Sequence, residues 1–101
     1  MVAVWHVVFT RQAAKDAKNL KAAGLDKKAK ELVEVVRNDP FGRPPSYEGL
    51  VGNLSGLYSR RISIHHRFVY EVIREPVSVG DAHYEGTVKV LRMWSHYDGL
   101  N

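Results

Sequence analysis

The sequence predicts an α+β domain in which two helices near the N-terminus pack on one face of a mainly antiparallel, twisted sheet. Three observations carry this. An apolar, β-branched run opens the chain, two amphipathic helical patterns follow in direct succession, and the second half is dominated by three strand-like runs separated by turn residues. The 101 residues suit one domain, 1–101, with a single modest core.

The elements follow in order. VAVWHVVF, residues 2–9, is β-branched and aromatic and reads as the first strand. Thr10 is placed to cap the helix that follows, because its hydroxyl can accept from a free first-turn amide. In RQAAKDAKNLKAAG the residues Ala13, Ala17 and Leu20 recur at helical spacing, and Gly24 stops the helix where a positive φ is cheap. Asp26 is expected to cap the second helix, whose apolar stripe is Ala29, Leu32, Val33 and Val36, and Asn38-Asp39-Pro40 ends it. Residues 39–56 hold three of the four prolines and four of the eight glycines, so they read as a loop long enough to carry function. LYSRRI, RFVYEVI and TVKVLRMWSHY are the remaining strands. The polar excursion REPVSVGDAHYEG between the last two reads as a long hairpin loop.

Composition removes several classes of function. Without cysteine there is neither a disulfide framework nor a thiolate metal site, and no run approaches the ~20 apolar residues of a membrane span. The first residues lack the charged-then-apolar layout of a signal peptide, so a cytoplasmic protein without membrane contact is expected. A net charge of +4 favours anionic partners.

The chemistry concentrates in RRISIHHRFVYEV, residues 60–72. As one strand it would far exceed the usual ~5–6 residues, so a hairpin turning near Ser63-Ile64-His65-His66 is expected. Alternation then turns Ile62, Phe68 and Tyr70 to the core and sets Arg61 and Arg67 together on the other face. Like charges across a strand pair are unfavourable unless an anion comes between them, and two guanidinium forks suit a phosphate. The alternative is that these arginines pair with Glu48, Glu71 or Glu85, or are simply solvated. His65 and His66 fall in the turn, on alternating sides, which does not make a metal site.

RNA cleavage through the 2′-hydroxyl needs a base, an acid and positive charge on the phosphate. The carboxylates available are Glu48, Glu71, Glu75 and Glu85, of which Glu48 directly precedes the basic strands. Two pairs compete for the acid, His83-Tyr84 in a loop tip and His96-Tyr97 closing the last strand. The second is preferred because a strand holds it. Arg60 joins Arg61 in the expected substrate-binding set.

The run NLSGLYSRRISIHHRFVYEV, with Glu48 upstream and His96-Tyr97 at the end of the final strand, resembles the YoeB/Txe toxins of the RelE superfamily. The resemblance spans almost the whole chain and is most specific over 53–72. It implies a RelE-like microbial-RNase fold, β-α-α-β-β-β, in the toxin of a type II toxin–antitoxin system. It also implies ribosome-dependent endonucleolytic cleavage of mRNA, leaving a 2′,3′-cyclic phosphate, with neither metal nor other cofactor. Carried over, Glu48 matches the general base, Arg67 the phosphate-stabilising arginine, Arg61 a supporting cation, His96 the general acid and Tyr97 its aromatic neighbour. The implied partners are the ribosome and mRNA, a YefM-like antitoxin, operator DNA through the antitoxin complex alone, and a second copy as a homodimer. Three departures stand out: Val51 replaces a usual lysine, whose phosphate contact is expected from Arg43 or Lys89 and places Arg43 in the substrate-binding set, Asp98-Gly99-Leu100-Asn101 follow the His-Tyr pair, and the excursion 74–86 is longer than usual. Two other functions stay open, a non-catalytic ParE-like inhibitor of DNA gyrase and a basic nucleic-acid-binding module.

Overall fold

A computed structural model describes residues 4–94. Strand β1 (Trp5–Phe9) leads into helices α1 (Arg11–Ala22) and α2 (Asp26–Asn38). The short strand β2 (Glu48–Gly49) comes next, then a single 3₁₀ turn (Gly52–Leu54), β3 (Leu57–Arg61) and β4 (Arg67–Ile73). The chain continues through β5 (Val77–Val79), β6 (Ala82–Tyr84) and β7 (Gly86–Arg92). The main sheet has the order β1-β7-β4-β3-β2, parallel between β1 and β7 and antiparallel elsewhere. The fold is thus α+β, with a mixed, mostly antiparallel sheet.

Thr10 caps α1 as expected: its hydroxyl accepts from the Ala13 amide at 3.0 Å and donates to the Leu91 carbonyl at 3.0 Å. One side chain therefore closes the helix and ties it to β7. Gly24 takes φ +76 just past the end of α1. Asp26 does not cap α2. The helix begins on it, after Leu25, which makes no side-chain capping bond, and the Asp26 carboxylate instead sits in the positively polarised first turn.

Helix α1 packs on β7 and α2 on β1. Leu20, Leu32, Val36, Phe68, Tyr70, Val88 and Val90 are fully buried between helices and sheet. Trp5 lies so close over Gly86 that a Cβ there would come within 2.6 Å of its ring, which explains the glycine.

Three expectations change. The excursion 74–86 is itself a small hairpin, β5 against β6, turned by Gly80-Asp81 between Val79 and Ala82. The run expected as strand 87–97 stops at Arg92, because the next two amides, Met93 and Trp94, donate to the Asp16 carboxylate and not to a neighbouring strand. The loop 39–56 contains β2, whose Glu48 stands opposite Ser59 of β3. Among the described residues no helix is long and apolar enough to cross a membrane.

Candidate active site

The hairpin turns where expected, and its register sets Arg61 directly opposite Arg67. Ser59 is two residues before Arg61 on the same face of β3, and Glu48 pairs with Ser59 from β2. Strand geometry thus gathers a carboxylate, a hydroxyl and two guanidiniums on one side of three adjacent strands. They line a polar cleft of about 260 Å³ together with Ser46 and Tyr47.

Two like charges in register would repel unless something absorbs the cost. Part of the answer is the turn. Arg67 Nη1 donates to the carbonyls of Ser63 at 2.7 Å, Ile64 at 3.2 Å and His66 at 3.2 Å. The turn is held in turn by the Ser63 hydroxyl, which accepts from the amides of His65 and His66. Neutral carbonyls orient the guanidinium without cancelling its charge, so the cleft stays cationic. His65 is exposed, while half-buried His66 stacks on Trp94 with ring centroids 4.0 Å apart. Burial foremost, then the nearby His65 and Arg67 charges, hold the His66 pKa below the ordinary histidine value, against the pull of Asp16.

Arg60 corrects an expectation. Expected among the substrate-binding residues, it lies on the core face and is 1% exposed. Its Nε donates to the Tyr70 hydroxyl at 3.1 Å, Nη1 to the carbonyls of Gly42 at 2.9 Å and Pro45 at 2.7 Å, and Nη2 to that of Pro40 at 3.0 Å. The Tyr70 hydroxyl donates to the same Pro40 carbonyl at 2.7 Å. Burial pushes the Tyr70 pKa up, and the Arg60 charge opposes it. This network straps down the proline-rich loop that delivers Tyr47 and Glu48 to the cleft. The alternation that buries Ile62 buries Arg60 too, and it was the legible signal.

Arg43 is exposed and lies over the Tyr47 ring, 4.2 Å from its centroid. Phe41 and Tyr58 pack around Tyr47, with ring centroids 5.8 and 6.0 Å away. Glu71 faces Lys89 across β4 and β7, and Val51 is 81% exposed. His83 stands on the β5–β6 hairpin, where Nδ1 shares a 2.7 Å hydrogen bond with the Ser78 hydroxyl. His96 and Tyr97 lie outside the described residues.

Asp16 had no place among the sequence-based candidates. It is fully buried, and its carboxylate accepts from Arg92 Nε at 2.8 Å, Gln12 Nε2 at 3.0 Å and the amides of Met93 and Trp94 at 3.0 and 3.3 Å. Burial raises its pKa, but the donors from Arg92, Met93 and Gln12 outweigh it and leave the pKa below the ordinary value. An aspartate three residues after Ala13 and four before Leu20, on the apolar stripe of α1, was the available clue. Among the described residues no three His, Cys, Asp or Glu side chains gather as a metal would require.

Residues 9–97 match the family model described as the YoeB-like toxin of bacterial type II toxin–antitoxin system. Toxin YoeB of Escherichia coli (strain K12) is 40% identical over 58 residues, which are 57% of this chain and 69% of that protein. A YoeB/ParE toxin from Agrobacterium tumefaciens superposes with a TM-score of 0.72 at 28% identity, covering 91% of this chain and 99% of its own. The Staphylococcus aureus YoeB has been solved both in a YoeB-YefM complex (31% identity, TM-score 0.67) and as a dimer (32% identity, TM-score 0.66). Each covers 94% of this chain and 100% of its own.

Proposed function

Since the chain belongs to the YoeB-like toxins of bacterial type II toxin–antitoxin systems, we propose that it arrests translation as a ribosome-dependent mRNA endoribonuclease working by acid–base chemistry without a metal. The observation that carries this reading is the cleft in which Glu48, Arg61 and Arg67 meet. Glu48 takes the proton of a 2′-hydroxyl, and the oxygen attacks the adjacent phosphorus. Arg61 and Arg67 stabilise the charge that builds on the pentavalent phosphate. His96 gives a proton to the departing 5′-oxygen, with Tyr97 beside it to orient the substrate. The new O2′–P bond and the broken P–O5′ bond leave a 2′,3′-cyclic phosphate and a free 5′-hydroxyl.

Arg43 serves the substrate from the cleft's edge. The partners are the ribosome with its mRNA and a YefM-like antitoxin, as in the Staphylococcus aureus complex, with operator DNA reached through that complex. A homodimer like that relative's is the expected free form, in the cytoplasm. The test is purified protein added to translating ribosomes, with transcript ends analysed chemically. Cuts within translated codons bearing 2′,3′-cyclic phosphate ends support the reading, and intact transcripts during arrest would sink it. The Agrobacterium tumefaciens relative is named YoeB/ParE, which favours gyrase inhibition as the second reading. A supercoiling assay on the same preparation decides that.

A further inference from the structure

The cleft has a wall that phosphate chemistry does not use. Tyr47 precedes Glu48 in the chain, lines the same cleft and is half-buried. Its ring is held by Phe41, tilted at 54°, and by Tyr58 in a T-shaped contact, and Arg60, which straps the loop, comes within 5.1 Å of it. Nearer to the ring lies the exposed Arg43 guanidinium, 4.2 Å from its centroid and at stacking distance. A rigid aromatic ring beside two phosphate-sized cations is the arrangement by which proteins hold an unpaired nucleotide. At about 260 Å³ the cleft falls below the ~300–1,000 Å³ of drug-sized pockets, which limits it to a single nucleotide with its neighbours outside.

We infer that Tyr47 is the base-stacking platform of this site, receiving the nucleobase of the nucleotide on the 5′ side of the scissile phosphate where the Arg43 guanidinium now rests. The inference rests on the endoribonuclease reading and makes it more specific. Because Tyr47 adjoins Glu48, the base it holds belongs to the ribose whose 2′-hydroxyl Glu48 would deprotonate. Purines, with the larger π-face, are the preferred occupants. Displaced from the ring, Arg43 swings to the flanking backbone phosphate, which gives an exposed arginine at the rim a task.

The decisive experiment uses a dinucleotide with 2-aminopurine as its 5′ base on a 2′-deoxyribose, which lacks the nucleophile and is not cut. Wild-type protein should quench its fluorescence on binding. Y47L, which keeps apolar volume but no π-face, should lose the quench and bind about 5- to 100-fold more weakly, the range of one base–aromatic stack. Y47W should restore both. An abasic analogue, held by its phosphate alone, should bind wild type and Y47L equally, which shows that Y47L is folded. Wild-type quenching retained in Y47L overturns the inference, as does the lack of any quench in the wild type. Mapping of transcript ends separates this from the parent reading. If wild type cuts, Y47L should lose the purine bias on the 5′ side of the cut, and an unchanged map overturns the Tyr47 role. If wild type cuts nothing, the endoribonuclease reading falls while the fluorescence result still decides the platform.

Discussion

Arg60 and Arg61 are chain neighbours on one strand, and the two faces of the β3–β4 hairpin give them opposite lives. On the core face Arg60 is 1% exposed and its donors are taken by Tyr70 and three loop carbonyls. On the other face Arg61 is exposed, stands opposite Arg67 and lines an open polar cleft. What separates a structural cation from one ready for a ligand is not its charge but how fully its donors are committed. A buried guanidinium must satisfy every donor from the protein, and one at a cleft can leave that to an incoming anion.

The sharpest way to break the comparison is to delete chemistry on the cleft face. Glu48→Ala should cut mRNA cleavage by roughly 10²–10⁴-fold, the usual contribution of a general base, and leave the thermal midpoint near the wild-type value. Arg67→Ala should lose comparable activity, and some stability with it, because its guanidinium also holds the turn carbonyls. Full toxicity in both variants would remove the cleft from the mechanism.

On the core face the order reverses. Arg60→Ala takes the donor from the Tyr70 hydroxyl and from the Gly42 and Pro45 carbonyls, and leaves the Pro40 carbonyl with the Tyr70 hydroxyl, so denaturant unfolding should show a loss of about 3 kcal/mol or more. Activity should fall only as far as the folded fraction and the placement of the loop fall. Unfolding at the wild-type midpoint would mean that the strap is incidental.

The smallest effect concerns Asp16, another charge committed inside the protein. Its folded pKa is depressed, so its contribution to stability is present above the ordinary aspartate pKa of ~3.9 and disappears as pH falls through the lower folded value. Asp16→Asn should therefore flatten the acid limb of a stability-against-pH curve and lower the plateau at neutral pH. An acid limb identical to the wild type would show that other carboxylates set it.

The same contrast explains what could be read from the sequence. Alternation placed Ile62, Phe68 and Tyr70 inside and Arg61 and Arg67 outside, because strand periodicity is local. The same alternation puts Arg60 inside, against the expectation that three clustered arginines all serve the substrate. The setting of Tyr47 is not legible in the sequence, because it depends on rings from Phe41 and Tyr58, brought up by the loop and by β3. Asp16 bonds to residues 76 to 78 positions away, and no local pattern could have shown that it shortens the last strand. The β5–β6 hairpin was within reach, since Gly80-Asp81 between two short runs is a tight-turn signal.

The strand order has a consequence for the order in which the chain is made. β7 lies between β1 and β4, in parallel with the first strand of the chain. During synthesis β1, the helices and the β2–β3–β4 edge all leave the ribosome before the strand that joins them. Until β7 emerges, β1 has no neighbour in the sheet, and Asp16 waits for Arg92, Met93 and Trp94. The nascent chain therefore carries Glu48, Arg61 and Arg67 past the translation machinery in a sheet that lacks the strand joining β1 to β4.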